Sequence, residues 1–169
     1  SYEGMLVARP LMPLGKDIGY LPGTKEEKLE SWMGPIFDNL EYIFNSEKKD
    51  KETRGIAKSM IEKYIKDEII ELEAMTFMRG RSIPDRFIII DEAQNMTPHE
   101  VKTVISRAGS GTKMVLTGDP YQIDSPYLDS SSNGLTYCVE KMKGQKMFGH
   151  MSLSKSERSS LASLAAELL

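Results

Sequence analysis

The residues with the clearest chemical potential are Asp91, Glu92 and Gln94, which follow directly on the apolar run Phe87-Ile88-Ile89-Ile90. An unbroken β-branched run suits a strand covered on both faces inside a parallel sheet. Open α/β sheets hold their ligands at the carboxyl ends of their strands. Two adjacent acids at such an end can divide the work: Asp91 can order Mg²⁺, and Glu92 can polarise an attacking water. The hydrophobic run alone suits a core strand entering an acidic turn equally well, so the flanking residues decide.

A second buried run, Lys113-Met114-Val115-Leu116-Thr117, also ends in a polar loop, Gly118-Asp119-Pro120-Tyr121-Gln122. Between the two runs lies Thr97-Pro98-His99-Glu100, a capping box with proline at the favoured N1 position. Val101, Val104, Ile105 and Ala108 then share a helical face, and Gly109 is a natural stop. Two parallel strands joined by a helix, both delivering polar groups to one edge, make a βαβ unit with a site. His99 falls on the first turn of that helix and has no chemical role.

Cations come from several places. Gly4 to Ala8 read as a buried strand stopped by Arg9-Pro10. The Gly- and Pro-rich loop over 11–23 carries Lys16 beside Asp17. Arg79 and Arg81 flank Gly80 in a loop just before the acidic strand, where arginine forks suit phosphate oxygens. Arg158 follows the capping box Ser154-Lys155-Ser156-Glu157, in a first turn where the helix dipole opposes a cation. That placement suits an arginine that meets an anion.

The remaining segments supply the frame. Thr24-Lys25-Glu26-Glu27 is a capping box, and the helix it starts is expected to break near Gly34-Pro35. Ile36, Phe37, Leu40, Ile43 and Phe44 then recur at helical spacing, with Trp32 as a core residue. Asn45 to Thr53 form a mixed-charge loop or helix end. A second amphipathic helix carries Ile56, Ala57, Met60, Ile61, Tyr64 and Ile65. Ile70, Leu72 and Ala74 alternate with Glu71 and Glu73, as in a half-exposed strand. Residues 124–134 read as a loop and Leu135 to Met142 as a helix, followed by the solvated cluster Lys141, Lys143 and Lys146. His150 to Leu153 suit a last short strand. Leu161, Leu164, Ala165 and Leu168 stripe a terminal helix.

Bulk composition narrows the classes. The chain has 169 residues, is 40% hydrophobic and 28% charged, and carries a formal net charge of −3. It is long enough for one domain with a real core, and nothing global favours nucleic acid. Local phosphate contacts need only a few Lys or Arg. The lone Cys138 excludes a disulfide framework and favours a reducing, cytoplasmic home. It reads as a small buried hydrophobe. No apolar run approaches the roughly 18 residues of a membrane span, and the opening residues carry no signal-peptide pattern. The chain opens at Ser1 and enters a strand almost at once, as a fragment of a larger domain would.

Taken together, these residues resemble the PhoH family of P-loop ATPases, relatives of superfamily 1 helicases. The resemblance spans nearly the whole chain. It rests on Ala8-Arg9-Pro10 with Gly15-Lys16-Asp17-Ile18-Gly19-Tyr20-Leu21-Pro22-Gly23, on Asp91-Glu92-Ala93-Gln94-Asn95, on Leu116-Thr117-Gly118-Asp119-Pro120-Tyr121-Gln122-Ile123-Asp124, and on Lys155-Ser156-Glu157-Arg158-Ser159. The stretch from Arg79 to Pro84 and Asn133-Gly134-Leu135 look like the branch in which a PIN-type ribonuclease domain precedes the ATPase. The resemblance implies an α/β fold: a partial RecA-like domain, with a parallel sheet flanked by helices, over residues 1–169 and truncated at its N-terminus. Its cofactors would be ATP and Mg²⁺. Asp91, in the Walker B position, would order the metal, and Asp119 and Gln94 would stand at the nucleotide. Glu92 would activate water, Gln122 would sense the γ-phosphate, and Arg158 would neutralise transition-state charge, in cis or on a neighbouring subunit of a homo-oligomeric ring. Arg9, Lys16, Arg79 and Arg81 are weaker candidates for RNA contact.

The pattern departs from the family in one respect. No G-x-x-x-x-G-K-[ST] occurs in these residues. The family carries that phosphate loop before the strand at 4–8, on a strand that would lie beside 113–117. The isolated chain is therefore expected to bind ATP poorly and to hydrolyse none, while the intact protein couples ATP hydrolysis to RNA unwinding or processing. A non-catalytic nucleotide- or RNA-binding or assembly module is the alternative. A nucleotide-independent metal hydrolase on Asp91 and Asp119 lacks the extra ligands it would need.

Overall fold

The computed structural model describes residues 1–10, 25–45, 51–78, 80–153, 161 and 164. Strand β1 (Gly4–Arg9) leads to helices α1 (Lys25–Asn45) and α2 (Lys51–Lys66), then β2 (Ile70–Ala74) and a 3-10 turn, Met75–Met78. Strand β3 (Arg86–Ile90), a 3-10 turn at Ala93–Asn95, helix α3 (Pro98–Ile105), strand β4 (Lys113–Leu116) and helix α4 (Gly134–Met142) complete the order. The strands form one sheet in the order β2-β1-β3-β4, with every pairing parallel. This is the α/β architecture expected from the sequence. The chain divides into two compact units, Ser1–Cys138 and Val139–Leu169, and the sheet lies wholly in the first.

Strand alternation decides how the sheet is covered. Val7 and Ile70 join Met33, Ile36, Leu40 and Ile61 in one buried cluster, with Met5, Leu72, Ile89 and Phe37 packed against it. Helices α1 and α2 thus cover one face. The alternate residues Leu6, Ala8, Ile88 and Ile90 are fully buried toward the other face. Phe87 and Ile89 of the acidic-ended strand are only half-buried. Tyr2 meets the Phe87 ring edge-on at 5.4 Å.

Helix α1 does not break at Gly34-Pro35: it runs unbroken with Pro35 inside. Met33, Ile36 and Leu40 are buried on either side of the proline, which is itself exposed. Packing on the sheet thereby offsets a cost of about 3 kcal/mol for an interior proline. Helix α3 has the expected capping box and N-terminal proline, but it ends at Ile105 with Ser106 as C-cap. Ala108 therefore leaves the helical face and bridges to Ile83, and Gly109 is not the stop. Its role is close approach, because a β-carbon there would stand 2.8 Å from the backbone of Pro84. Residues 150–153 form no strand and are exposed, without a ladder partner among the described residues. The loop at 11–23, the capping boxes at Thr24 and Ser154, the Trp32 side chain, and Ala165 and Leu168 lie outside the described residues. Leu161 and Leu164 are helical and exposed.

Candidate active site

Parallel pairing brings three strand ends level. Ala8 pairs with Ile90 and Ile90 with Leu116, so Arg9, Asp91 and Thr117 come next on one edge. The backbone ladder continues into the loops: Asp91 N–H donates to Ala8 O at 2.9 Å, Thr117 N–H to Ile90 O at 2.9 Å, and Ala93 N–H to Thr117 O at 2.9 Å. The edge is therefore hydrogen-bonded one residue beyond β3 and β4.

The four acid oxygens meet polar groups from three elements. Arg9 Nε lies 3.3 Å from Asp91 Oδ2, and Arg9 Nη2 lies 3.3 Å from Glu92 Oε1. Thr117 Oγ1 donates to Asp91 Oδ1 at 2.9 Å. Gln94 Nε2 donates to Glu92 Oε2 at 2.6 Å. Glu92 itself has φ 56° and ψ 37°, the left-handed region that non-glycine residues seldom occupy. Such backbone is retained where surrounding bonds over-determine it, and here both side-chain oxygens and the following 3-10 turn do so.

Gln94 ties this pair to the loop after β4. Its side chain is completely buried. The same Nε2 donates to the Gln122 carbonyl at 2.9 Å, and its Oε1 accepts from Asp119 N–H at 3.2 Å. Gly118 is required beside it, since any β-carbon there would collide with Gln94 Oε1. The Asp119 carboxylate caps its own loop, accepting from Tyr121 N–H at 3.0 Å and from Gln122 Nε2 at 2.5 Å. Asn95 Oδ1 accepts from Asp124 N–H at 2.8 Å and anchors the far end of the loop.

The structure thus brings together Asp91, Glu92, Gln94, Asp119 and Gln122 with Arg9. Arg9, a candidate for RNA contact in the sequence, has a side chain only 13% exposed and meets the two acids. Arg81 is engaged elsewhere, 2.9 Å from Glu73 and 3.9 Å from Glu71, while Arg86 lies 3.2 Å from Glu71. Lys16, Arg79 and Arg158 lie outside the described residues. Sequence reasoning gave no role to the Thr117 hydroxyl. Its position directly after a core strand, level with Asp91, is the signal that marks it.

The donor set fits a small hard cation. The Asp91 and Glu92 side chains are 29% and 40% exposed, and the neighbouring group is a hydroxyl. Mg²⁺ keeps several waters and takes one or two protein carboxylates plus substrate phosphates. Among the described residues no three His, Cys, Asp or Glu side chains converge. Two acids suit a cation that arrives with phosphate oxygens better than a self-sufficient metal centre.

Comparison with known proteins shows the family. The family model described as PhoH-like protein matches residues 1–168. Protein PhoH2 of Bacillus subtilis is 58% identical over 99% of this chain, which covers 36% of that protein. Protein PhoH2 of Mycolicibacterium smegmatis is 36% identical over 98% of the chain, covering 35% of its length. A PhoH-like protein of Bacillus subtilis is 34% identical over 83% of the chain, covering 40%. The chain therefore covers less than half the length of each of these relatives, and it belongs to the PhoH family.

Proposed function

We propose that the chain provides the water-activating side of a Mg·ATP hydrolysis site, which the intact protein couples to RNA unwinding or processing. The observation that carries this reading is the fixed pair Asp91-Glu92 at the carboxyl edge of a parallel sheet, with both Glu92 oxygens held. Asp91 and the Thr117 hydroxyl would face the metal, which would supply charge neutralisation for the phosphoryl oxygens. Glu92 would accept a proton from the attacking water. Gln94 would transmit the position of Glu92 to the Asp119–Gln122 loop, where the Gln122 side chain would meet the terminal phosphate. Arg158 would complete the charge balance, on its own or a neighbouring subunit's nucleotide.

Replacing Glu92 by Gln in the full-length protein tests the reading. The change preserves shape and removes the base, so ATP turnover should fall by about 10²- to 10⁴-fold, with ATP binding kept within a few-fold. Unchanged turnover would refute the role. Persistent nucleotide or RNA binding without any turnover in the parent protein would instead favour a non-catalytic binding module.

A further inference from the structure

We infer that Arg9 is a positioning residue for the acid pair: its guanidinium straddles Asp91 and Glu92, fixes their mutual orientation and competes with the metal for Asp91. The inference rests on the hydrolysis reading above. Its basis is the way the four carboxylate oxygens are shared. Thr117 and Gln94 each hold one oxygen of one acid. Among the described residues Arg9 is the one cation that meets both acids, with Nε at ion-pair distance from Asp91 and Nη2 donating to Glu92. A planar guanidinium with delocalised charge can lie against one carboxylate while donating to the next, whereas an ammonium is a single point of charge.

Three further features favour this role. Arg9 is the last residue of β1 and pairs with Ala74 of β2, so its backbone is clamped on the neighbouring strand. Its side chain is largely buried, so the attraction is less screened than in an exposed ion pair. Two like charges on consecutive residues repel one another, and the strained backbone at Glu92 gives them no freedom to separate. One cation between them removes that repulsion while leaving Glu92 the more exposed of the pair.

Two consequences run in opposite directions, which separates positioning from mere structural support. Removing the guanidinium takes a cation away from Asp91, so the nucleotide-free protein should bind a divalent ion more tightly. The same change lets Glu92 wander, so the chemical step should slow. In the full-length protein, Arg9→Ala should lower kcat by about 10- to 100-fold, the range of a misplacement of about 1 Å, with KM for ATP within about twofold. Mn²⁺ affinity without nucleotide, read by electron paramagnetic resonance, should rise about two- to fivefold, the range of a weak ion pair. Arg9→Lys should return Mn²⁺ affinity to the original value, because charge is restored, while kcat stays several-fold low, because the fork is not.

An unchanged kcat in Arg9→Ala, with Glu92→Gln inactive, would overturn the role of Arg9 and leave the hydrolysis reading standing. Weaker Mn²⁺ binding in a folded Arg9→Ala protein would also overturn it, by showing that Arg9 only supports the local fold. Should Arg9→Ala fail to fold, Arg9→Lys decides, and full kcat there would overturn the role. If Glu92→Gln turns over ATP normally, the underlying reading fails instead.

Discussion

At the scale of single residues, the side chain that connects most of the site is Gln94. Its amide meets Glu92, the carbonyl of Gln122 and the N–H of Asp119. Truncating it to Ala would leave buried polar groups of the loop unsatisfied, each at a cost of about 1–3 kcal/mol. Gln94→Ala should therefore lower unfolding stability by about 2 kcal/mol in urea titration and slow turnover, because Glu92 loses one of its two holders. Gly118→Ala probes the same contact from the other side. Its β-carbon meets the Gln94 amide oxygen, so it should push that amide aside and reproduce the loss of turnover with the glutamine still present. Wild-type activity in both variants would show that the loop and the acid pair act independently.

The elements explain why much of this was legible from sequence and why some was not. The strands at β1, β3 and β4, the capping box at Thr97 and helix α4 each follow from local pattern: buried runs, cap chemistry and apolar spacing. The polar loops share one edge because the strands are parallel, which their crossover helices already implied. Pro35 and Gly109 misled, because tertiary packing held a helix through one, and close backbone approach gave the other a different reason to be glycine. The partnership of Arg9 with residues about eighty positions away was illegible, since no local pattern encodes register between strands. The entry to α4 provides a further test. Asp129 accepts from the N–H groups of Ser131 and Ser132 and from the Ser131 hydroxyl, and these bonds lower its pKa from 3.8 to about 2. A carboxylate depressed in the folded state stabilises above its unfolded value, and that contribution disappears as pH falls through the folded value. The Ser131 and Ser132 amide resonances should therefore titrate near pH 2; a midpoint near 3.8 would mean the turn is not held by Asp129 in solution.

For the whole molecule, the decisive quantity is how far the acid edge can act without a phosphate cradle. A helix N-terminus with glycine-rich backbone and its lysine supplies most of the grip on a triphosphate, and no G-x-x-x-x-G-K-[ST] occurs among these 169 residues. Among the described residues strand β4 is one of the two edges of the sheet, and its Met114, Val115 and Leu116 are only half-buried, so the edge is open to a further strand. The 169-residue chain alone should show no micromolar Mg·ATP affinity by calorimetry, and micromolar binding would sink this expectation. The full-length protein allows a sharper test of assembly. If Arg158 acts across a subunit boundary, Arg158→Ala should abolish turnover while ATP binding persists. Mixing that variant with Glu92→Gln should then restore part of the activity, because some interfaces pair an intact Glu92 with an intact Arg158. Two inactive variants that stay inactive when co-assembled would place Arg158 and Glu92 on the same nucleotide within one subunit, and equal loss of ATP binding in Arg158→Ala would remove the arginine from the chemical step altogether.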